Sequence, residues 1–173
     1  MTRLSAGGHI SGAIVALLVF SSAADADDHD QGERLFRITR NKNDNIVCYD
    51  VRQKNGKLDK DDPVSVYWII PSKKNKMESL NFVERRKAYG INVVKAYGQD
   101  SVDISLKAGK KPIRVTRRGG RWVALAAVDS MQVAIDSVYV MADESATMPT
   151  VKWVEIMGHS PDTGGPVRRK LTK

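Results

Sequence analysis

Cysteine is almost missing from this chain of 173 residues: Cys48 stands alone, so no internal disulfide can staple the fold. A packed core must hold it instead. Histidine is scarce as well, three in all. His9 and His29 lie near the start, which leaves His159 and Cys48 too few to make a protein zinc site. We expect neither metal nor cofactor. Glycine-rich phosphate loops are absent too, since Gly119-Gly120 reads as a hairpin turn. No internal repeat or low-complexity tract is evident, and no apolar run reaches the roughly 20 residues of a membrane-spanning helix.

The longest apolar run, Ile10 to Phe20, follows Arg3 and precedes the small residues of Ala24-Asp25-Ala26. That is the layout of a secretory signal peptide with a small-x-small cleavage site. Residues 1–26 are therefore expected to be a signal peptide and residues 27–33 a flexible acidic leader. Residues 34–173 then form a single β-rich domain with no transmembrane segment. No cysteine follows the apolar run to take a lipid anchor, and no twin arginine precedes it. The expected location is periplasmic or secreted.

Export changes the meaning of charge. The formal net charge is +8, which in a cytosolic protein would invite a nucleic-acid reading. Outside the cytosol no nucleic-acid partner is expected, and the available polyanions are lipid headgroups and envelope polymers. Cys48 sits in the strand-like run Ile46 to Val51 and reads as a small buried hydrophobe; a nucleophile would need a neighbouring cation or His.

From Leu35 onward, short alternating runs are separated by turn residues, the pattern of strands. The runs are Leu35 to Arg40, Ile46 to Arg52, Val64 to Ile70, Ile91 to Tyr97 and Val102 to Lys107. Ile113 to Arg117, Trp122 to Val128, Gln132 to Met141 and Val151 to Met157 follow. The tight connections between them favour antiparallel neighbours. Eight or nine such strands predict a mainly β fold, an antiparallel β-barrel or β-sandwich. In the longest run Val133 and Ile135 have one parity, Val138 and Val140 the other, so a bulge is predicted near Asp136-Ser137. One helix is predicted within residues 75–89, with Asn75 as N-cap, Glu78 completing a capping box and Gly90 as a left-handed stop.

The stretch from Leu35 to Leu171 resembles the domain of unknown function 4833 family. The residues that carry the likeness are Phe36-Arg37-Ile38, Val66-Tyr67-Trp68, Leu80-Asn81, Glu84-Arg85 and Ala88-Tyr89-Gly90-Ile91. Glu155, Gly158 and Thr163-Gly164 complete it. The resemblance implies one exported bacterial domain and brings no reaction, ligand or catalytic residue with it.

Two surfaces stand out. On the predicted helix Glu84 falls within the stripe of Met77, Leu80 and Ala88, where a carboxylate carried toward a core is costly unless paired. It is either a structural ion-pair or hydrogen-bond partner, or a group with a raised pKa poised for chemistry. Asn81, Glu84, Arg85, Tyr89 and Trp68 are the candidate ligand contacts there. The second surface is a block of cations, Lys107, Lys110, Lys111, Arg114, Arg117, Arg118 and Arg121, within fifteen residues that contain no acid. It reads as a patch for an anionic partner or as charge guarding a sheet edge. Trp68, Trp122 and Trp153 lie in separate strands, where core packing is the default.

No catalytic constellation emerges. The expected function is a non-enzymatic binding module for an apolar or amphiphilic ligand, or for an anionic envelope component. The alternatives are an envelope hydrolase using Glu84 and a periplasmic accessory protein.

Overall fold

The computed structural model describes residues 32–109, 111–143, 145 and 149–172. The signal-peptide assignment and most of the acidic leader lie outside the described residues. In chain order the elements are β1 (Arg34–Arg40), β2 (Asn43–Val51), β3 (Gln53–Lys54), β4 (Lys57–Leu58) and β5 (Val64–Ile70). Next come β6 (Lys76–Ser79), α1 (Phe82–Lys87), β7 (Ile91–Tyr97), β8 (Ser101–Leu106) and β9 (Ile113–Arg118). β10 (Arg121–Val128), β11 (Met131–Asp143), β12 (Thr150–His159) and β13 (Pro166–Thr172) complete the fold.

Eleven of these strands form one mixed sheet, curled into a half-barrel. The mainly β reading holds. All nine predicted strands are present, and β3, β4, β6 and β13 are additional to them. The pairing is antiparallel throughout except between β1 and β11, which run parallel. Sequence spacing favoured antiparallel neighbours because tight turns report only local pairings. β1 and β11 are joined by a long excursion that no turn signal marks.

β11 organises the sheet. One of its edges pairs continuously with β12. Its other edge serves two strands in succession: β10 as far as Ala134, then β1 from Ser137. Two wings therefore branch from a single edge, β10-β9-β8-β7 and β1-β2-β5-β6. The predicted bulge falls at this handover, with the β11–β12 register shifting between Ile135 and Ser137. β1 carries a second irregularity opposite β2, between Arg34 and Phe36.

The core lies between the wings. Phe36, Val47, Tyr49 and Trp68 from one wing pack in a single cluster with Val102, Ile104, Val115 and Trp122 from the other. Alternation explains the choice: Val47, Tyr49 and Val51 share one face of β2. The Phe36 and Tyr49 rings stack with centroids 4.3 Å apart. Such a pair adds about 0.5–1.5 kcal/mol to the gain from burial alone. Trp68 and Trp122 are buried, as expected. Trp153 is not: it lies half-buried on β12 beside Tyr139, with Lys170 Nζ 4.1 Å from its ring centroid.

The helix is shorter than the sequence predicts. Lys76–Ser79 is a strand paired with β5, placing Met77 opposite Ile69. Asn75 is left-handed at φ 60° rather than an N-cap. The cap is Asn81, which accepts from the Glu84 amide while the Glu84 carboxylate accepts from the Asn81 amide. Gly90 has another role than a left-handed stop. A Cβ there would come within 1.9 Å of the Arg85 carbonyl oxygen, so the chain can pass that close only as glycine. Among the described residues no helix is long and apolar enough to cross a membrane.

Candidate functional site

The fork in the sheet opens a cleft. Where β10 leaves the edge of β11 and β1 takes over, Ile135 and Asp136 lie between the two partners. A cavity of about 610 Å³ occupies this gap. Arg34 and Leu35 line it from β1, Arg118 and Arg121 from the β9–β10 hairpin, and Asp136 and His159 from β11 and β12. Bulges commonly re-aim side chains beside functional sites, and the one in β1 does so here. It directs the adjacent Leu35 and Phe36 both into the core and sets Arg34 beside Asp50 on the other face.

Arg34 is held from behind. Its Nε pairs with Asp50 Oδ1, its Nη2 donates to the Tyr67 hydroxyl at 2.9 Å, and its Nη1 to Cys48 Sγ at 3.0 Å. The Tyr67 hydroxyl donates in turn to Asp50 Oδ2 at 2.6 Å. Asp50 is 2% exposed, and a buried carboxylate is tolerated only when paired and hydrogen-bonded. This network meets that condition. The Arg34 side chain itself is 40% exposed. A guanidinium has five N–H groups; three are committed here, and the two left, one on each terminal nitrogen, belong to a group already locked in direction.

The network shapes the protonation of its members. Burial pushes the Cys48 thiol up to about 11, against the opposing pull of Arg34. Burial and the bond to Asp50 likewise raise Tyr67. Both therefore stay protonated near neutrality. Cys48 is fully buried, in keeping with its reading as a small hydrophobe.

Arg118 and Arg121 face each other directly across the β9–β10 pair. Like charges in that position are unfavourable. Glu33 offsets one, lying 3.4 Å from Arg121 Nε, and Asp162 the other, 3.6 Å from Arg118. His159 Nδ1 lies 3.2 Å from Asp136 Oδ2. His159 ends β12, and the close approach of β12 to β11 depends on its neighbour. A Cβ on Gly158 would lie 2.0 Å from the Ala134 carbonyl oxygen.

The structure divides the cationic block. Arg114 forms two hydrogen bonds to Asp103, 2.8 and 3.1 Å, and lies over the Tyr97 ring. Arg117 lies over Trp122 and donates to the Gly120 carbonyl. Lys107 donates to Asn92, and Lys111 is exposed. Lys110 is outside the described residues. Of the block's described residues, only Arg118 and Arg121 reach the cleft.

Four of the five helix candidates come together. Glu84 Oε2 accepts from the Asn81 amide at 2.9 Å and from Trp68 Nε1 at 3.1 Å. Tyr89 sets its ring edge-on to Trp68, and its carbonyl accepts from the Tyr49 hydroxyl at 2.8 Å. Arg85 stands apart, exposed to solvent. The corner between α1 and β7 is thereby bolted onto the core.

Sequence reasoning missed Arg34, Asp50, Tyr67, Asp136 and the cleft role of His159. One signal was present: Asp50 is the sole charge in the apolar run Ile46 to Val51, and a carboxylate in a buried strand needs a cation. Among the described residues no group of three or more His, Cys, Asp or Glu is placed to hold a metal ion.

The fold and cleft define a class, a curled β half-barrel with an arginine-lined fork. Residues 36–170 match the family model described as a domain of unknown function (DUF4833), and the chain belongs to that family. No curated protein and no solved structure matches it.

Proposed function

We propose that this protein is a non-enzymatic binding module that takes a small anion, a carboxylate or phosphate, in the cleft at the fork of the sheet. The observation that carries the reading is Arg34. Its guanidinium is oriented by three buried partners, and the residue lines the cavity together with Arg118 and Arg121. Pre-set donors bind at lower entropic cost than mobile ones, and guanidinium forks match the oxygens of carboxylate and phosphate. Three acids lie nearby: Asp136 in the lining beside His159, Glu33 against Arg121, and Asp162 against Arg118. Asp162 is 84% exposed at 3.6 Å from Arg118, a pairing worth about 0–1 kcal/mol that a better-placed anion displaces.

Three further observations bear on the choice of reading. Phe36, Tyr49, Ile104 and Val115 fill the space between the wings, which favours a ligand at the fork over an apolar one inside. Glu84 has its Oε2 committed to Asn81 and Trp68, which favours binding over hydrolysis. The signal-like segment before Asp27 supports export, so the anion would be an envelope or extracellular component.

The test is calorimetric titration with inorganic phosphate and with citrate at low ionic strength. Binding of either one should weaken about tenfold or more in Arg34→Gln and in Arg118→Gln/Arg121→Gln. The second variant changes exposed residues only, so its melting temperature should hold or rise as the like-charge pair is relieved. Absence of binding, or affinity indifferent to both variants, refutes the reading.

A further inference from the structure

We infer that α1 is a docking element for an anionic lipid surface. Phe82 and Val83 are 70% and 64% exposed, and Arg85, Arg86 and Lys87 follow them directly. At about 100° per residue, Phe82 and Arg86 lie opposite Glu84, Val83 and Arg85 flank them, and Lys87 falls closer to Glu84. Glu84 alone turns inward, to Asn81 and Trp68. All five others are exposed.

The fold does not need the outward face. The capping box, the Trp68–Glu84 bond and the backbone bond from Ala108 N to Ala88 O fasten the helix by its inner side and its tail. Phe82 and Val83 are the two most exposed large hydrophobics among the described residues, and they sit among cations. Arg86 lies over the Phe82 ring at 5.2 Å. The one acid of the helix accepts hydrogen bonds from Asn81 and Trp68, and the five exposed side chains carry three positive charges and no negative one.

That pairing selects the occupant. Aromatic and aliphatic groups inserted at the headgroup boundary, ringed by Lys and Arg, are the recognition chemistry of negatively charged bilayers. Three cations and two apolar side chains give reversible association rather than insertion. The surface is separate from the arginine-lined fork and stands whether or not that cleft binds an anion.

Hydrogen–deuterium exchange of the full chain tests it, with vesicles of phosphatidylcholine alone and of phosphatidylcholine mixed with phosphatidylglycerol. Amides of residues 82–87 should slow with the anionic vesicles and not with the neutral ones. Because the readout is local, attachment through any other segment gives no support. Phe82→Ser/Val83→Ser and Arg85→Glu/Arg86→Glu should each need about tenfold more lipid for the same protection. Melting should change little in both, because none of the four side chains is buried and the Arg86–Phe82 contact that they lose lies at the surface. Protection elsewhere but not at 82–87, equal protection with neutral lipid, or variants that behave as the parent each overturn the inference. So does protection of this helix only by a protein or nucleic-acid partner.

Discussion

The Tyr67 hydroxyl donates to Asp50 Oδ2 across 2.6 Å and accepts from Arg34 Nη2 at 2.9 Å, so one phenol bridges a buried acid and the cation at the cleft. Tyr67→Phe removes a hydrogen bond to a charged group and is expected to cost about 1.5–3 kcal/mol of stability, read by urea denaturation. It also frees one restraint on Arg34. Anion affinity should therefore fall in a residue that does not line the cleft, and rise again only where the hydroxyl is restored.

Cys48 supplies a probe of the same network. Its thiol is pushed up to about 11 by burial and is fully enclosed. Iodoacetamide at neutral pH should leave the native protein unmodified over hours and label it promptly in denaturant. Tyr67→Phe should label faster than the parent at sub-denaturing urea, in proportion to its lost stability.

Glu84 is the residue for which the sequence left two roles open. As a cap and Trp68 anchor, its removal should act on stability. Glu84→Ala is expected to lose about 1 kcal/mol and to shift the Trp68 emission. Glu84→Gln keeps an acceptor for both donors and should lose less. A Glu84→Gln protein with parental stability but abolished turnover of some envelope polymer would restore the hydrolase alternative.

Acid should loosen the sheet in a defined window. Asp143 is lowered from 3.8 to about 2, first by hydrogen bonds from Ser145 and then by Lys152. Arg114 lowers Asp103, and Arg168 lowers Glu155. Each carboxylate is more acidic folded than unfolded, so its contribution is complete above the unfolded value and fades as pH falls through the folded one. Melting temperature should decline between about pH 4 and 2, and Asp143→Asn should flatten the lower part of that decline.

What could be read from sequence follows from the range of the interactions. Alternation is local, so all nine strands and the Asp136 bulge were visible in the text. The segment 76–80 read as helix because Met77 and Leu80 are three apart, a helix-face spacing that a strand would split between its two faces. Pairing of Met77 with Ile69 decided for the strand, and that is a tertiary fact. The fork was invisible for the same reason: it needs the parallel match of Arg37 with Ser137, a hundred residues away. Arg34 looked like any strand-end arginine until the register set it against Asp50. The cationic block was legible as composition. Its division was not, because Asp103 and Trp122, which occupy Arg114 and Arg117, are fixed by cross-strand position.

The central claim is that the split edge of β11 presents a pre-oriented Arg34 to an anion. Nitrogen-15 spectra of the arginine side chains, followed during titration with phosphate, test it most directly. Arg34 Nε should resonate as a sharp, slowly exchanging signal before any addition, and the signals of Arg34, Arg118 and Arg121 should move together and saturate. If Arg34 is averaged and exchange-broadened in the free protein, or if only the Arg114 and Arg117 signals move, the account is contradicted.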